Sequence, residues 1–123
     1  MRNLQITELI NMDALEFVDY LAASFSYDIP TEITTVEEAS SAGVLLAELS
    51  NNFSYLLTIS SYLKIYIRMA KAEKDMKTAN DYIDKKNAVD AFAEAMKQQY
   101  NAISRMITIR SDNMKELNMN SRI

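Results

Sequence analysis

Lys64, Arg68 and Lys71 recur at i, i+4 and i+7, the spacing that sets three cations on one helix face. Lys74 and Lys77 continue the cluster while rotating around the helix, and Lys85, Lys86, Lys97, Arg105 and Arg110 follow. Tyr62, Tyr66, Tyr82 and Tyr100 sit among them. Cations that neutralise phosphates, with rings on which bases stack, are the groups that single-stranded nucleic acid needs. The competing reading is a solvated mixed-charge face, because Glu73, Asp75, Asp81, Asp84, Asp90 and Glu94 interleave with the cations.

Catalysis has less to work with. The 123 residues include no histidine and no cysteine, which removes the commonest general base, the thiolate nucleophile and the commonest transition-metal ligands. There is no glycine-rich phosphate loop. Glu37 with Glu38, or Glu16 with Asp19, offers paired carboxylates for a divalent cation. Di-metal helical bundles, however, build their sites on Glu-x-x-His pairs. These acids therefore read as helix-start and solvated-face residues. The sequence predicts no catalytic residue, no metal site and no cofactor.

The elements that must position the cations are helices. One glycine (Gly43), one proline (Pro30) and eight methionines leave too few breakers for a sheet fold, and the hydrophobic fraction of 49% excludes a disordered chain. Residues 12–26 predict a first helix, capped at Asn11, with Leu15, Val18, Leu21 and Phe25 as its apolar face. Tyr27-Asp28-Ile29-Pro30 ends it, since the residue before a proline avoids the α region. Thr34 with Glu37, or Thr35 with Glu38, has capping-box spacing for a second helix running to about Lys77.

On that helix Ala39, Ala42, Leu46, Leu49, Phe53, Leu56, Ser60, Leu63, Ile67 and Ala70 alternate steps of three and four, a heptad seam. A second stripe, Leu45, Tyr55, Ile59, Tyr62, Tyr66 and Met69, lies beside it. Ser50-Asn51-Asn52 is the weakest point and leaves a break open as an alternative. Thr78 to Asp81 is the expected connection, with Asn80 as cap. A third helix to about Leu117 follows, with Val89, Phe92, Met96, Tyr100, Ile103, Ile107, Met114 and Leu117 as its face, interrupted by Arg110.

The expected fold is thus all-α and a single domain. Residues 1–33 form a short N-terminal helix and loop, 34–118 a long antiparallel helical hairpin, and 119–123 a frayed tail. A hairpin has little interior, and its partner covers only one of the two stripes. The bundle is therefore expected to be completed by self-association as a homo-oligomer, with Leu46, Leu49, Phe53, Leu56, Leu63 and Ile67 as interface. The alternative is a break near Asn51 and a closed monomeric bundle. No stretch is long and apolar enough to span a membrane, and the N-terminus MRNLQITELINM has no uninterrupted apolar run of the secretory kind. A cytoplasmic location is expected.

Charge is unevenly placed. Residues 1–63 hold nine carboxylates and one cation (Arg2), net −8, whereas residues 64–123 hold twelve cations and eight carboxylates, net +4, for −4 in all. The acidic half can pair with the basic half of a neighbouring subunit, face a basic partner, or keep the protein soluble.

The segment YLKIYIRMAKAEKDMKTANDYIDKKNAVDAFAEAMKQQYNAISRMITIRSDNMKEL, Tyr62 to Leu117, resembles small helical proteins of tailed bacteriophages. Its basic part, LKIYIRMAKAEKDMK, is similar in style to the UvsY-type phage recombination mediators. The resemblance covers roughly half the chain and departs from the mediator pattern in overall acidity. It implies a helical oligomer that binds single-stranded DNA, with Lys64, Arg68, Lys71, Lys74 and Lys77 as contacts, and helps to load a recombinase. The leading expectation is a non-enzymatic accessory protein of phage DNA recombination or replication. The alternatives are a protein-interaction module that inhibits a host protein or defence nucleoprotein, and a structural component of the virion.

Overall fold

The computed structural model describes residues 5–121, with side chains through Arg110. Four helices follow one another: α1 Ile6–Ile10, α2 Ala14–Ser24, α3 Val36–Ala72 and α4 Met76–Ser121. Among the described residues there is no strand. α3 and α4 pack along each other as the expected hairpin, α2 lies against α4, and α1 against α3.

α3 runs unbroken through Asn51, so its 37 residues reach about 55 Å at ~1.5 Å per residue. The Thr35 hydroxyl caps it, accepting the Glu38 N–H at 3.1 Å, while Thr34 and Thr35 donate to the Glu38 carboxylate at 3.0 and 3.1 Å. Every position of the heptad seam is withdrawn from solvent. Leu49, Leu56 and Leu63 are fully buried, and the remaining seam residues are buried or half-buried. Val89, Ala93, Met96 and Ile103 of α4 complete this core. Each fully buried Leu or Ile contributes about 1.5–3 kcal/mol, so the seam outweighs any polar link between the helices. The one seam hydroxyl, Ser60, donates to Asp90 of α4 at 2.7 Å, and Lys86 pairs with the same carboxylate at 2.8 Å.

The N-terminal segment covers half of the second stripe. Ile59 is fully buried, Tyr55 meets Phe25 with ring centroids 6.3 Å apart, and the Asn52 amide donates to the Tyr27 hydroxyl. Two expectations for this segment are corrected. The cap of α2 is Asp13, whose carboxylate accepts the Leu15 N–H at 3.2 Å. Its buried face is Phe17 and Leu21, while Leu15 and Val18 are 76% and 41% exposed. Phe17 is the residue that meets Lys85 of α4, and this contact fixes the rotation of the helix. The five-residue α1, with Leu9 and Ile10 fully buried, is too short to show periodicity and was not anticipated.

The hairpin turn also lies elsewhere than expected. It occupies Glu73 to Asp75, not Thr78 to Asp81. The Asp75 N–H bonds the Ala70 carbonyl and the Lys74 N–H bonds the Lys71 carbonyl, both at 3.0 Å, which is the Schellman arrangement. Lys74 takes the left-handed position, φ 61°, that glycine usually fills. Asp75 then caps α4, accepting from the Thr78 N–H at 3.2 Å and its hydroxyl at 2.7 Å. α4 continues past Leu117 to Ser121, so the helix enters what was expected to be a frayed tail. Met114 and Leu117 lie outside the residues whose side chains are described. The Arg110 guanidinium donates to the Thr34 carbonyl at 2.6 Å and ties α4 to the loop before α3.

Three outcomes test this fold. Lys74→Gly relieves the left-handed strain and raises unfolding free energy by up to about 1 kcal/mol, read by urea titration. Hydrogen bonds from the Thr78 hydroxyl and N–H hold the Asp75 carboxyl below its ordinary value, and Lys77 nearby adds to them. Its capping stabilisation is therefore complete above about pH 4 and is lost as pH falls through the lowered folded value. Asp75→Asn keeps a cap without a titrating group, so its melting temperature depends less on pH below about 4. Lys85→Met leaves the Ile10 carbonyl unpaired and costs about 1–3 kcal/mol, with faster amide exchange in residues 6–24 than in the hairpin. Exchange in residues 6–24 unchanged from the unaltered protein contradicts a pinning role for Lys85 at the end of α1.

Candidate nucleic-acid interface

The five cations singled out in the sequence are all exposed. They do not form one continuous helix face. Lys64, Arg68 and Lys71 lie on α3, Lys74 sits in the turn, and Lys77 is in the first turn of α4. Among the described residues none of the five makes an ion pair; the pairs found there are Lys85–Asp81 and Lys86–Asp90, both 2.8 Å. Tyr62 is 43% exposed and stands half a turn before Lys64. Tyr66 instead packs on Tyr82 with ring centroids 5.5 Å apart. Burial pushes the Tyr82 phenol above its ordinary value, with Tyr66 and Asp81 adding to it, so it stays neutral at physiological pH. Tyr66 and Tyr82 are packing groups, and the exposed Tyr62 ring stands about 160° around α3 from Lys64, on another face than the cations.

Lys85 is not part of a basic surface. It is 3% exposed, donates to the Ile10 carbonyl at 2.9 Å, pairs with Asp81, and lies 6.0 and 5.8 Å from the Phe17 and Tyr82 ring centroids. Its ammonium pins the end of α1 and the start of α2 to α4. A lysine at an inward-facing position between Tyr82 and Val89 was the available signal for this role. Lys86, paired with Asp90, is likewise engaged.

The charge separation of the sequence is partly undone in space. The chain turns back at Asn11–Ala14 toward the hairpin tip. There an open groove of about 590 Å³ is lined by Asp13, Asp75, Asp81, Lys77 and Lys85 among others. Three carboxylates and one unpaired ammonium make this side of the tip a poor phosphate path. At the other end a groove of about 640 Å³ runs between residues 26–30 and the first turns of α3, and its charged groups are Asp28, Glu37, Glu38 and Glu48. Among the described residues no three carboxylates converge as they would to hold a metal ion. No helix among them is long and apolar enough to cross a membrane.

The six residues expected between subunits are placed inside the chain. Leu49, Leu56 and Leu63 have no accessible surface, and Leu46, Phe53 and Ile67 are half-buried. Leu49, Leu56 and Leu63 therefore offer no surface to a second copy, whereas Leu46, Phe53 and Ile67 keep part of theirs. A small apolar notch of about 160 Å³ remains between the hairpin helices, lined by Leu49, Phe53, Met96 and Tyr100 with Ser50 and Lys97.

No family model, curated protein or solved structure matches the chain.

Proposed function

We propose that this protein is a non-enzymatic, self-assembling helical accessory protein that binds single-stranded DNA, of the kind tailed bacteriophages use in recombination or replication. The observation that carries the proposal is the row Lys64, Arg68 and Lys71 on the flank of α3, exposed and without ion pairs among the described residues. A rigid helix holds these cations one turn apart, a spacing that follows a phosphate backbone, and no reorganisation is needed on binding. Nothing in this role requires a general base, a nucleophile or a metal.

A second reading, a module that grips a basic protein segment, is favoured by the acidic groove at the other end. Its carboxylates surround Ile29, Val44 and Leu45, so it offers both charge and apolar contact.

Anisotropy of a labelled single-stranded oligonucleotide separates the two. Binding at low salt that weakens at physiological salt is expected for the first. Replacing Lys64, Arg68 and Lys71 together by Gln leaves helicity unchanged and lowers the slope of log K against log salt by about 2, at ~0.7 per phosphate contact. Absence of binding by the unaltered protein at low salt, or an unchanged slope in the variant, rejects the proposal and leaves the acidic groove as the better candidate.

A further inference from the structure

α4 and α3 treat solvent differently. The outward side of α4 carries Asp84, Glu94 and Arg105 among exposed polar residues, as a solvated helix should. α3 has an outward strip about 100° wide, from Val36 to Ala72, without one charged residue. Steps of three and four residues lead along it, and every residue on it is exposed. The large side chains gather toward its ends: Val36 is 65% and Val44 62% exposed near one, Ile65 54% and Met69 55% near the other. Between them stand Ala47, Asn51, Ser54, Thr58 and Ser61, and Ala47 and Ser54 are small enough for another helix to approach closely. Space beside Gly43 is open as well. A helix that is apolar on its seam and uncharged on its back is built to be covered on both sides.

We infer that this strip receives the same strip of a second copy, antiparallel, with the two-fold axis near Ser54. This gives the self-assembly in the proposed function its surface and rests on that reading. Charge decides the direction. The first half of α3 bears Glu37, Glu38 and Glu48 and no cation, and its last third bears Lys64, Arg68 and Lys71 and no acid. Parallel pairing brings the two acidic ends to one height and the two basic ends to another, whereas antiparallel pairing brings each acidic end level with a basic one and opposes the helix dipoles. The same arrangement brings Val44 of one copy across from Ile65 of the other. The area is sufficient. A strip ~55 Å long and ~10 Å wide covers about 550 Å² on each chain, or about 1,100 Å² in total, at the lower bound for a specific interface.

The chain has no cysteine, so single thiols report on geometry without interference. Sedimentation equilibrium is expected to give two 14.0 kDa chains per particle. Ile65→Lys combined with Met69→Glu is expected to give one chain with unchanged helicity, because both positions are exposed. Val44→Cys mixed with Ile65→Cys is expected to cross-link as a mixed pair. Cross-linking of Val44→Cys with itself overturns the antiparallel assignment, and a monomeric unaltered chain overturns the surface. A monomer that still binds DNA removes this interface and keeps the binding role. A dimer that cross-links as stated and ignores DNA keeps the interface and removes the binding role.

Discussion

The structure depends on a mismatch of girth around α3. One helix carries apolar residues on its seam and on an adjacent stripe and an uncharged strip along its back, and the other described helices pack against the first two. α4 covers the seam, burying Leu49, Leu56 and Leu63 fully and Leu46, Phe53 and Ile67 in part. α1 and α2 cover the adjacent stripe around Ile59 and Tyr55, and leave Tyr62 and Met69 exposed. The remaining organisation follows from which element reaches which side of this helix.

That dependence explains what could be read from the sequence. The seam was legible residue by residue, because a 3.5-residue period over ten positions leaves a hairpin partner one way to pack. The continuity of α3 through Ser50-Asn51-Asn52 was not legible from propensity, which favours a break there. It follows from packing, since Leu49, Phe53 and Leu56 bracket the weak residues with buried contacts and the Asn52 amide finds the Tyr27 hydroxyl. The α2 face was misread because Leu15, Val18, Leu21 and Phe25 and the buried pair Phe17 and Leu21 share one short helix, and eleven residues give periodicity little to average over. The turn was misplaced because a lysine occupies a position where glycine is the usual signal.

The candidate site was less legible than the fold for a related reason. Spacing on one helix identifies which cations share a face, but it is silent on what the chain folds back against them. Lys85 and Lys86 continue the run of cations in the sequence, yet tertiary contacts place one under α1 and the other on Asp90. Likewise the net −8 of residues 1–63 and +4 of residues 64–123 suggested two separate ends. Folding returns Asp13 to the hairpin tip beside Lys77 and moderates that contrast. What survives is the polarity within α3 itself, where no other element intervenes.

The buried Lys85 ammonium bears on how the two layers stay together. Burying a lone cation is costly, and most of the compensation comes from a half-exposed Asp81 and one backbone carbonyl. A methionine in the same space would fill it at lower desolvation cost but would satisfy nothing at the end of α1. The lysine's contribution is therefore the tie to the end of α1, which a methionine loses. It fixes the docking of a five-residue helix too short to hold itself. With the Ile59 side of α3 closed, the uncharged back is left as its long solvent-exposed face.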